Sequence, residues 1–235
     1  MSTVSIVIPV KDCESTISRA IESVINQTYQ DFEIILVDNG CQDKTIELAL
    51  DIGKDKINVI KCDTPGIVPA LNSGLQNAKA NLIARQDGDD VWYPEKLEHQ
   101  INFMINNPSI DICGTQIKLV SLDGQVVDEG FRYPVQDQLI KSWLLTGRNA
   151  IAHPSVIFRK DILLRVGGYD DSYPIAEDHH LWLRCVRWFN FANLPDVFVD
   201  YASTHNPKYD SKFPLLASEA QFKLLKYSGF IKNAN

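Results

Sequence analysis

The sequence lacks the features that mark three common classes of protein. Its five cysteines are odd in number and show no Cys-x-x-Cys spacing, which argues against a disulfide framework and against a zinc site. It has no apolar run near the roughly 20 residues that a membrane-spanning helix needs. Its formal net charge is −7 and it has no basic run, which argues against nucleic acid as a partner.

The remaining composition is typical of a globular protein, with 45% hydrophobic and 23% charged residues among 235. A strand pattern begins at Val4 without a charged leader and apolar segment before it, so we expect no signal peptide. We expect the cysteines to be reduced thiols, which indicates a cytoplasmic protein. No linker or low-complexity tract divides the chain, so we expect a single domain over residues 1–235.

The first 90 residues alternate short apolar runs with helical patterns. The apolar runs predict strands at 5–10, 32–38, 57–60 and 82–85. Alternation of this kind is typical of an α/β fold with a Rossmann-like, mainly parallel sheet flanked by helices. Ligands of such sheets bind beyond the carboxyl ends of the strands, and polar clusters rich in carboxylates follow each of these four strands.

The second half of the chain is less regular. Its pattern predicts a hairpin over 112–132 with a type I′ turn at Asp123-Gly124. It also predicts a helix over 177–189, a final strand over 197–202 and a closing helix over 215–227.

The strongest chemical signal is Asp87-Gly88-Asp89-Asp90, directly after a predicted strand. Like charges packed this closely repel, which disfavours the fold unless a cation or a donor-rich ligand lies among them. Hard oxygen ligands at a glycine bend suit Mg²⁺ or Mn²⁺ together with substrate phosphates. The pattern therefore predicts a metal site on a diphosphate. The alternative is a solvated acidic turn before the helix that begins near Pro94.

Other polar residues have both a functional and a structural interpretation. Asp38, at the end of a strand, could accept a hydrogen bond from a base or a ribose, or could initiate a turn. Glu177 and Asp178 lie in the first turn of a predicted helix. They could provide a general base, or they could be ordinary acidic residues, which the helix dipole favours at this position. His153 is interpreted as structural, and His205 as a surface residue that could instead complete a metal site.

Several sequence blocks follow one another in a fixed order. They lie at 4–10, 20–29, 32–40, 43–45, 70–75, 83–90, 153–156, 166–170, 176–178 and 181–184. With these blocks the chain resembles the family 2 glycosyltransferases, which are inverting enzymes with a GT-A fold. The resemblance extends from Val4 to about Tyr201.

The resemblance implies a nucleotide-sugar site in the first half of the chain. Pro9 and Val10 would line the nucleotide pocket, and Asp38 would meet the base, which is usually uracil in this family. Arg85 would supply positive charge to the diphosphate. In this first half, two positions depart from the family pattern. Lys11 stands where an aromatic residue is frequent, and Asn39 stands where Asp is usual.

The resemblance also implies the catalytic groups. Asp87 and Asp89 match the Asp-x-Asp pair, which is shared between the ribose, Mn²⁺ or Mg²⁺ and the diphosphate, and Gly88 between them belongs to the same donor site. Asp178 matches the catalytic base, and Glu177 would support it. His205 is displaced by one position from the family's late histidine.

The resulting hypothesis is a metal-dependent inverting glycosyltransferase. It would use a nucleotide sugar, expected to be UDP-linked, and a hydroxyl of a glycan or lipid-linked acceptor. Residues 1–108 would bind the donor, and residues 109–235 the acceptor. Trp143 to Leu145 suggest at most peripheral contact with the cytoplasmic membrane face. A nucleotidyltransferase is disfavoured because the loop after the first strand has no glycine, whereas a catalytically degenerate nucleotide- or glycan-binding protein of the same fold stays open.

Overall fold

The computed structural model describes residues 2–129 and 132–202. Within this part, the strands of the sheet are β1 (Val4–Val10), β2 (Phe32–Asp38), β3 (Ile57–Lys61), β4 (Leu82–Arg85), β5 (Val91–Trp92), β6 (Ile112–Val120), β7 (Val126–Asp128), β8 (Ile157–Arg159) and β9 (Phe191–Ala202). The α-helices are α1 (Ile17–Ile25), α2 (Thr45–Gly53), α3 (Ile67–Asn77), α4 (Lys96–Asn106), α5 (Asp137–Leu145), α6 (Ile162–Val166) and α7 (Glu177–Cys185). Short 3₁₀ turns span Lys54–Lys56 and His153–Ser155.

The strands form one sheet in the order β3-β2-β1-β4-β8-β6-β9-β5, and β7 pairs with β6 outside this path. The first four strands in that order are all parallel, as the alternating sequence pattern predicted. β8 is antiparallel to both β4 and β6, while β6 and β9 run parallel. The second half therefore extends the parallel sheet with strands of mixed direction.

Strand β1 is buried along its whole length because its side chains pack into hydrophobic clusters on both faces of the sheet. Ile6 and Ile8 face the cluster that contains Ile21 of α1, whereas Val7 faces the cluster that contains Leu71 of α3. Successive side chains of a strand point to opposite faces. The helices α1 and α3 consequently cover opposite sides of the sheet, and the carboxyl end of β1 is left between them.

Two predicted elements have different bounds in the structure. The helix that starts at Glu177 ends at Cys185 rather than at residue 189, and β9 already begins at Phe191. The final strand was predicted to begin at residue 197, and β9 also contains Pro195, which cannot donate a ladder hydrogen bond. In the structure it lies in a bulge, where the pairing with β6 shifts between Gly114 and Gln116.

The predicted type I′ turn is wrong. Gly124 has a positive φ of 87°, but Asp123 keeps a negative φ, and a type I′ turn needs positive values at both positions. The N–H of Gly124 donates to the carbonyl of Ser121 at 2.8 Å, so the hairpin has a longer connection closed by one left-handed glycine.

The predicted helix over 215–227 lies outside the described residues. Among the helices that the structure does describe, none is both long and apolar enough to cross a bilayer.

Candidate active site

The carboxyl ends of β1, β2 and β4 meet at one edge of the sheet. β1 lies between the other two strands, and Val10 at its end pairs with Asp38 at the end of β2. On the β4 side of β1, the N–H of Gln86 donates to the carbonyl of Val7 at 3.1 Å. The segment that follows β4 therefore continues alongside β1. Neighbouring strands are about 4.8 Å apart, so the end of β2 and the segment after β4 are separated by about 10 Å. Ligands of parallel sheets bind at such an edge.

Residues 87–90 form an acidic turn beyond β4. Asp87, Asp89 and Asp90 each offer a carboxylate oxygen, and these oxygens lie within 4.8 Å of one another. The N–H of Ala202 donates to Asp90 Oδ1 at 2.7 Å, whereas Oδ2 is buried with no hydrogen-bond partner among the described residues. Burial, and then the charge of Asp87, raise the pKa of Asp89 to about 6. Burial likewise raises the pKa of Asp90 well above its usual value.

The acidic turn has the chemistry of a divalent-cation site. Hard carboxylate oxygens are the ligands that Mg²⁺ and Mn²⁺ prefer. Burial first, and then the neighbouring carboxylates, raise both pKa values, so a cation that pairs with the ionised carboxylates would offset both effects. The predicted ligands Asp87 and Asp89 are therefore brought together, and the structure adds Asp90 as a third carboxylate. The other predicted ligand, His205, lies outside the described residues.

Gly88 lets the acidic turn pack against the end of β1. A Cβ atom at this position would lie 3.1 Å from Cys13 Sγ and 3.1 Å from Val10 Cγ1. These distances are tighter than ordinary van der Waals contacts, so a larger residue would push the turn outward. The structure thereby places two predicted donor-site residues, Val10 and Gly88, against each other. Pro9 is buried in β1 beside Val37.

The N-terminal end of helix α1 donates hydrogen bonds to the backbone of the acidic turn. The hydroxyl of Thr16 donates to the carbonyl of Gly88 at 2.9 Å. Arg19 Nη2 donates to the carbonyl of Asp89 at 3.2 Å. Thr16 is the N-cap residue of α1, but its side chain makes no capping hydrogen bond, because the hydroxyl is directed to the turn. The backbone of the turn is thus fixed at two carbonyl groups, which leaves its carboxylates at the edge of the sheet.

Arg85 links the acidic turn to α7. The guanidinium is 4% exposed and forms an ion pair with Asp87. Burial disfavours its charged form, but the charge of Asp87 and the hydrogen bond to it dominate, so the pKa of Arg85 is raised and the group stays positive. The charge of Glu177 acts on it in the same direction. Arg85 is therefore close to both carboxylate groups of the site.

Glu177 and Asp178 open α7; Asp178 is buried, and the Glu177 side chain is 13% exposed. Burial and then the charge of Asp178 raise the pKa of Glu177 to about 8. Burial also raises the pKa of Asp178, but the N–H of His179, which donates to Asp178 Oδ1 at 2.7 Å, opposes that rise by stabilising the carboxylate. At neutral pH, a pKa of about 8 keeps Glu177 mostly protonated, so this carboxyl group adds little negative charge beside Asp178. A buried carboxylate with a neutral neighbour suits a general base.

His153 also belongs to this site, although its sequence context indicated a structural role. Its Nδ1 lies 3.7 Å from Glu177 Oε1, and its Nε2 lies 2.8 Å from Tyr169 Oη. Burial, aided by the charge of Arg85, lowers the pKa of His153 well below its usual value, so the ring is neutral. The signal that could have found it is topological: β8 follows directly and pairs with β4, which ends at Arg85.

Asp38 makes the turn contacts that its structural interpretation predicted. Its Oδ1 accepts hydrogen bonds from the N–H groups of Gly40 at 3.1 Å and Cys41 at 2.9 Å. The residue is half-buried at the end of β2, on the opposite side of Val10 from the acidic turn. Turn formation and ligand contact can coexist, because a carboxylate has a second oxygen.

Asn39 is committed to holding a loop. Its Nδ2 donates to the carbonyl of Thr64 at 2.8 Å, and its Oδ1 accepts from the N–H of Gly66 at 2.8 Å. This buried amide fixes the connection between β3 and α3. A direct contact between the Asn39 side chain and a ligand would therefore cost existing hydrogen bonds.

The comparisons with known proteins agree on one family. The model of glycosyl transferase family 2 matches residues 5–166. The O-antigen biosynthesis glycosyltransferase WbnJ of Escherichia coli is 33% identical over 210 residues, which are 86% of this chain and 80% of WbnJ. The amylovoran biosynthesis glycosyltransferase AmsE of Erwinia amylovora is 29% identical over 231 residues, covering 94% of this chain and 85% of AmsE.

Solved structures share the fold at low sequence identity. S. aureus TarS 1–349 in complex with UDP superposes with a TM-score of 0.72 at 19% identity over 94% of this chain, which spans 65% of that TarS chain. The mannosyltransferase PcManGT from Pyrobaculum calidifontis, in complex with GDP-Man and Mn²⁺, gives a TM-score of 0.64 at 13% identity, covering 98% of this chain and 76% of PcManGT. The predicted GT-A fold is thereby confirmed. Since the family model covers well over half of the sequence, the chain belongs to glycosyl transferase family 2 and is a glycosyltransferase.

Proposed function

We propose that this glycosyltransferase is metal-dependent and inverting, and that it transfers a sugar from a UDP-linked donor to a hydroxyl of a glycan or glycolipid acceptor. The observation that carries the proposal is the position of Arg85 between two carboxylate groups, the acidic turn and the Glu177–Asp178 pair. The first group has the chemistry to hold a diphosphate with its cation. The second has the chemistry to activate a hydroxyl.

The donor would lie across the carboxyl ends of β2, β1 and β4. Asp38 would meet the base, and Pro9 and Val10 would line the pocket between the base and the acidic turn. The separation of about 10 Å between the outer strands suits a nucleoside at one side and a diphosphate at the other. Gly88 would allow the diphosphate to approach the backbone, and Arg85 would add positive charge behind it.

Asp87 and Asp89 would hold Mn²⁺ or Mg²⁺, with Asp90 close to them. The close oxygens and the buried Asp90 Oδ2 support this assignment. When bound, such an ion neutralises charge on the leaving nucleoside diphosphate. His205 is a further candidate ligand from the sequence alone.

Asp178 would act as the base. It would take the proton of the acceptor hydroxyl while the oxygen forms a bond to the anomeric carbon and the bond from that carbon to the diphosphate breaks. Attack opposite the leaving group inverts the anomeric configuration. Glu177, whose pKa is raised to about 8, would stay protonated at neutral pH and so leave the negative charge on Asp178.

The names of the relatives support a role in polysaccharide synthesis, since WbnJ and AmsE are named for O-antigen and amylovoran biosynthesis. We propose a cytoplasmic enzyme in which residues 1–108 bind the donor and residues 109–235 the acceptor. Any membrane contact would be peripheral. In the segment suggested for it, Leu144 is buried and Leu145 is the exposed apolar side chain.

Thermal unfolding with a panel of nucleotides tests the proposal, with and without Mn²⁺. The panel contains UDP, GDP, UDP-N-acetylglucosamine, UDP-galactose and GDP-mannose. A ligand at about 100 times its dissociation constant should stabilise the protein by roughly 2.7 kcal/mol. We expect a Mn²⁺-dependent shift with UDP compounds, and release of UDP from one donor. Stabilisation without donor cleavage, even with acceptor extracts, would instead support the degenerate binding protein.

A further inference from the structure

Tyr169 is fixed to the donor half of the protein through Asn72 of α3. The N–H of Tyr169 donates to Asn72 Oδ1 at 2.8 Å, and Asn72 Nδ2 donates back to the carbonyl of Tyr169 at 2.9 Å. The neighbouring Gly168 lies so close that a Cβ atom there would be 2.2 Å from Asn72 Oδ1. These contacts fix the position of the Tyr169 backbone relative to α3.

His153 connects this fixed point to α7. Its ring is buried, with its centroid 5.5 Å from that of Tyr169 and 6.4 Å from that of Trp182. The Tyr169 hydroxyl lies 2.8 Å from Nε2, and Glu177 Oε1 lies 3.7 Å from Nδ1. The second distance exceeds that of a formed hydrogen bond. Contacts between catalytic groups are often long without substrate and shorten in the reactive complex.

A neutral imidazole that is hydrogen-bonded to a phenol can also form a hydrogen bond with Glu177, whether the carboxyl group of Glu177 is protonated or ionised. If Glu177 is a carboxylic acid, Nδ1 accepts its proton in a hydrogen bond and the Nε2–H donates to Tyr169. If Glu177 is ionised, the tyrosine hydroxyl donates to Nε2 and the Nδ1–H donates to the carboxylate. Both arrangements use the same heavy-atom positions, because a phenol is both donor and acceptor and the imidazole has two neutral tautomers.

We propose that His153, anchored by Tyr169, is a positioning residue that holds Glu177 and thereby the base-bearing end of α7 against the donor site. The inference rests on the proposed function, in which Asp178 is the base. In this role His153 needs the hydrogen bonds of its ring nitrogens, whereas a residue that only packs in the core would not. The chain of contacts runs from Asn72 through Tyr169 and His153 to Glu177, so it joins the donor-binding half to the catalytic helix.

Three variants separate a polar role from packing. His153→Asn places an amide near the position of Nδ1, where it can offer either N–H or C=O to Glu177. His153→Leu has a similar volume but no polar atom. Tyr169→Phe removes only the hydroxyl that anchors Nε2, and it keeps the ring and both backbone contacts to Asn72.

The test measures steady-state release of UDP from the donor that the wild-type enzyme cleaves, with water as the acceptor and Mn²⁺ present. We expect His153→Leu and Tyr169→Phe to lower kcat by about tenfold or more, since a small displacement of a catalytic group can cost up to about 100-fold. The KM for the donor should change little, because no donor contact is removed. His153→Asn should recover most of the lost kcat. Unfolding temperatures of all variants are measured alongside, and UDP with Mn²⁺ should stabilise each of them as it does the wild type.

Equal kcat for His153→Leu and His153→Asn would overturn the inference, because packing alone would then explain the residue. Wild-type activity of Tyr169→Phe would overturn it as well, and this variant decides the matter if His153→Leu does not fold. Failure of the proposed function is a separate result, since the wild-type enzyme itself would then cleave no donor in the panel.

Discussion

The hydroxyl of Thr16 donates to the carbonyl of Gly88 at 2.9 Å, and this contact fastens the first helix to the acidic turn. Thr16 is buried, so the carbonyl depends on a protein donor rather than on bulk water. The relationship explains how a turn with three carboxylates keeps a defined backbone. The backbone of the turn is thus held by a contact that does not involve its carboxylate side chains.

Thr16→Val should lower stability without removing any charge. Valine has nearly the same shape, but it leaves the buried Gly88 carbonyl without this donor, which costs about 1–3 kcal/mol. Urea unfolding of the two proteins measures the difference. Ser18→Ala in the same helix, whose side chain is half-buried, is the matched control and should change the unfolding free energy by much less. Equal stability of Thr16→Val and wild type would show that the contact contributes little.

Asp89→Asn tests the metal assignment in the acidic turn. The change keeps the size of the side chain and removes one charge from a cluster in which burial and Asp87 already raise the pKa of Asp89 to about 6. We expect the apoprotein to be at least as stable as wild type, because like-charge repulsion decreases. The additional stabilisation that Mn²⁺ gives with UDP should disappear. Calorimetric titration of Mn²⁺ in the presence of UDP measures it directly, and unchanged Mn²⁺ affinity would remove Asp89 from the ligand set.

Asp178→Asn and Glu177→Gln form a matched pair for the base. Asp178→Asn should lower kcat by about 100-fold or more, because general-base catalysis contributes at least that much. Glu177→Gln mimics the protonated acid that the raised pKa of about 8 favours at neutral pH, so it should keep most of the activity at pH 7. The kcat of UDP release at pH 7 is the measurement. The reverse order of the two activities would assign the base to Glu177.

The parallel half of the fold could be predicted from sequence because its strands are apolar, short and separated by amphipathic helices. The order in which the later strands pair could not, since it depends on contacts between residues that are distant in sequence. β5 has only two residues, and β9 begins at Phe191, before the predicted start at residue 197, with a bulge in its pairing with β6. The acidic turn and the Glu177–Asp178 pair carry local signals. By contrast, His153 becomes part of the site only because β8 pairs with β4, which local spacing does not encode.

A buried lysine at the start of α4 makes stability depend on pH. Lys96 is fully buried, its Nζ lies 3.7 Å from the centroid of the Trp92 ring, and it donates to Gln100 Oε1 at 2.7 Å. Burial lowers its pKa from 10.5 to about 7. Between these two values the unfolded chain binds the proton and the folded protein does not, so stability rises with pH in this window and loses this dependence below pH 7.

The comparison with Lys96→Met isolates this effect, since methionine has a similar length and does not titrate. The unfolding free energy of wild type minus that of Lys96→Met should increase between pH 7 and pH 10, by up to about 1.4 kcal/mol per pH unit. Subtraction cancels the titration of the cysteines and tyrosines that both proteins share. Urea unfolding at pH 6, 7, 8 and 9 gives the difference curve. A flat curve would mean that Lys96 keeps its proton in the folded state, with the charge stabilised by the face of Trp92 and by Gln100.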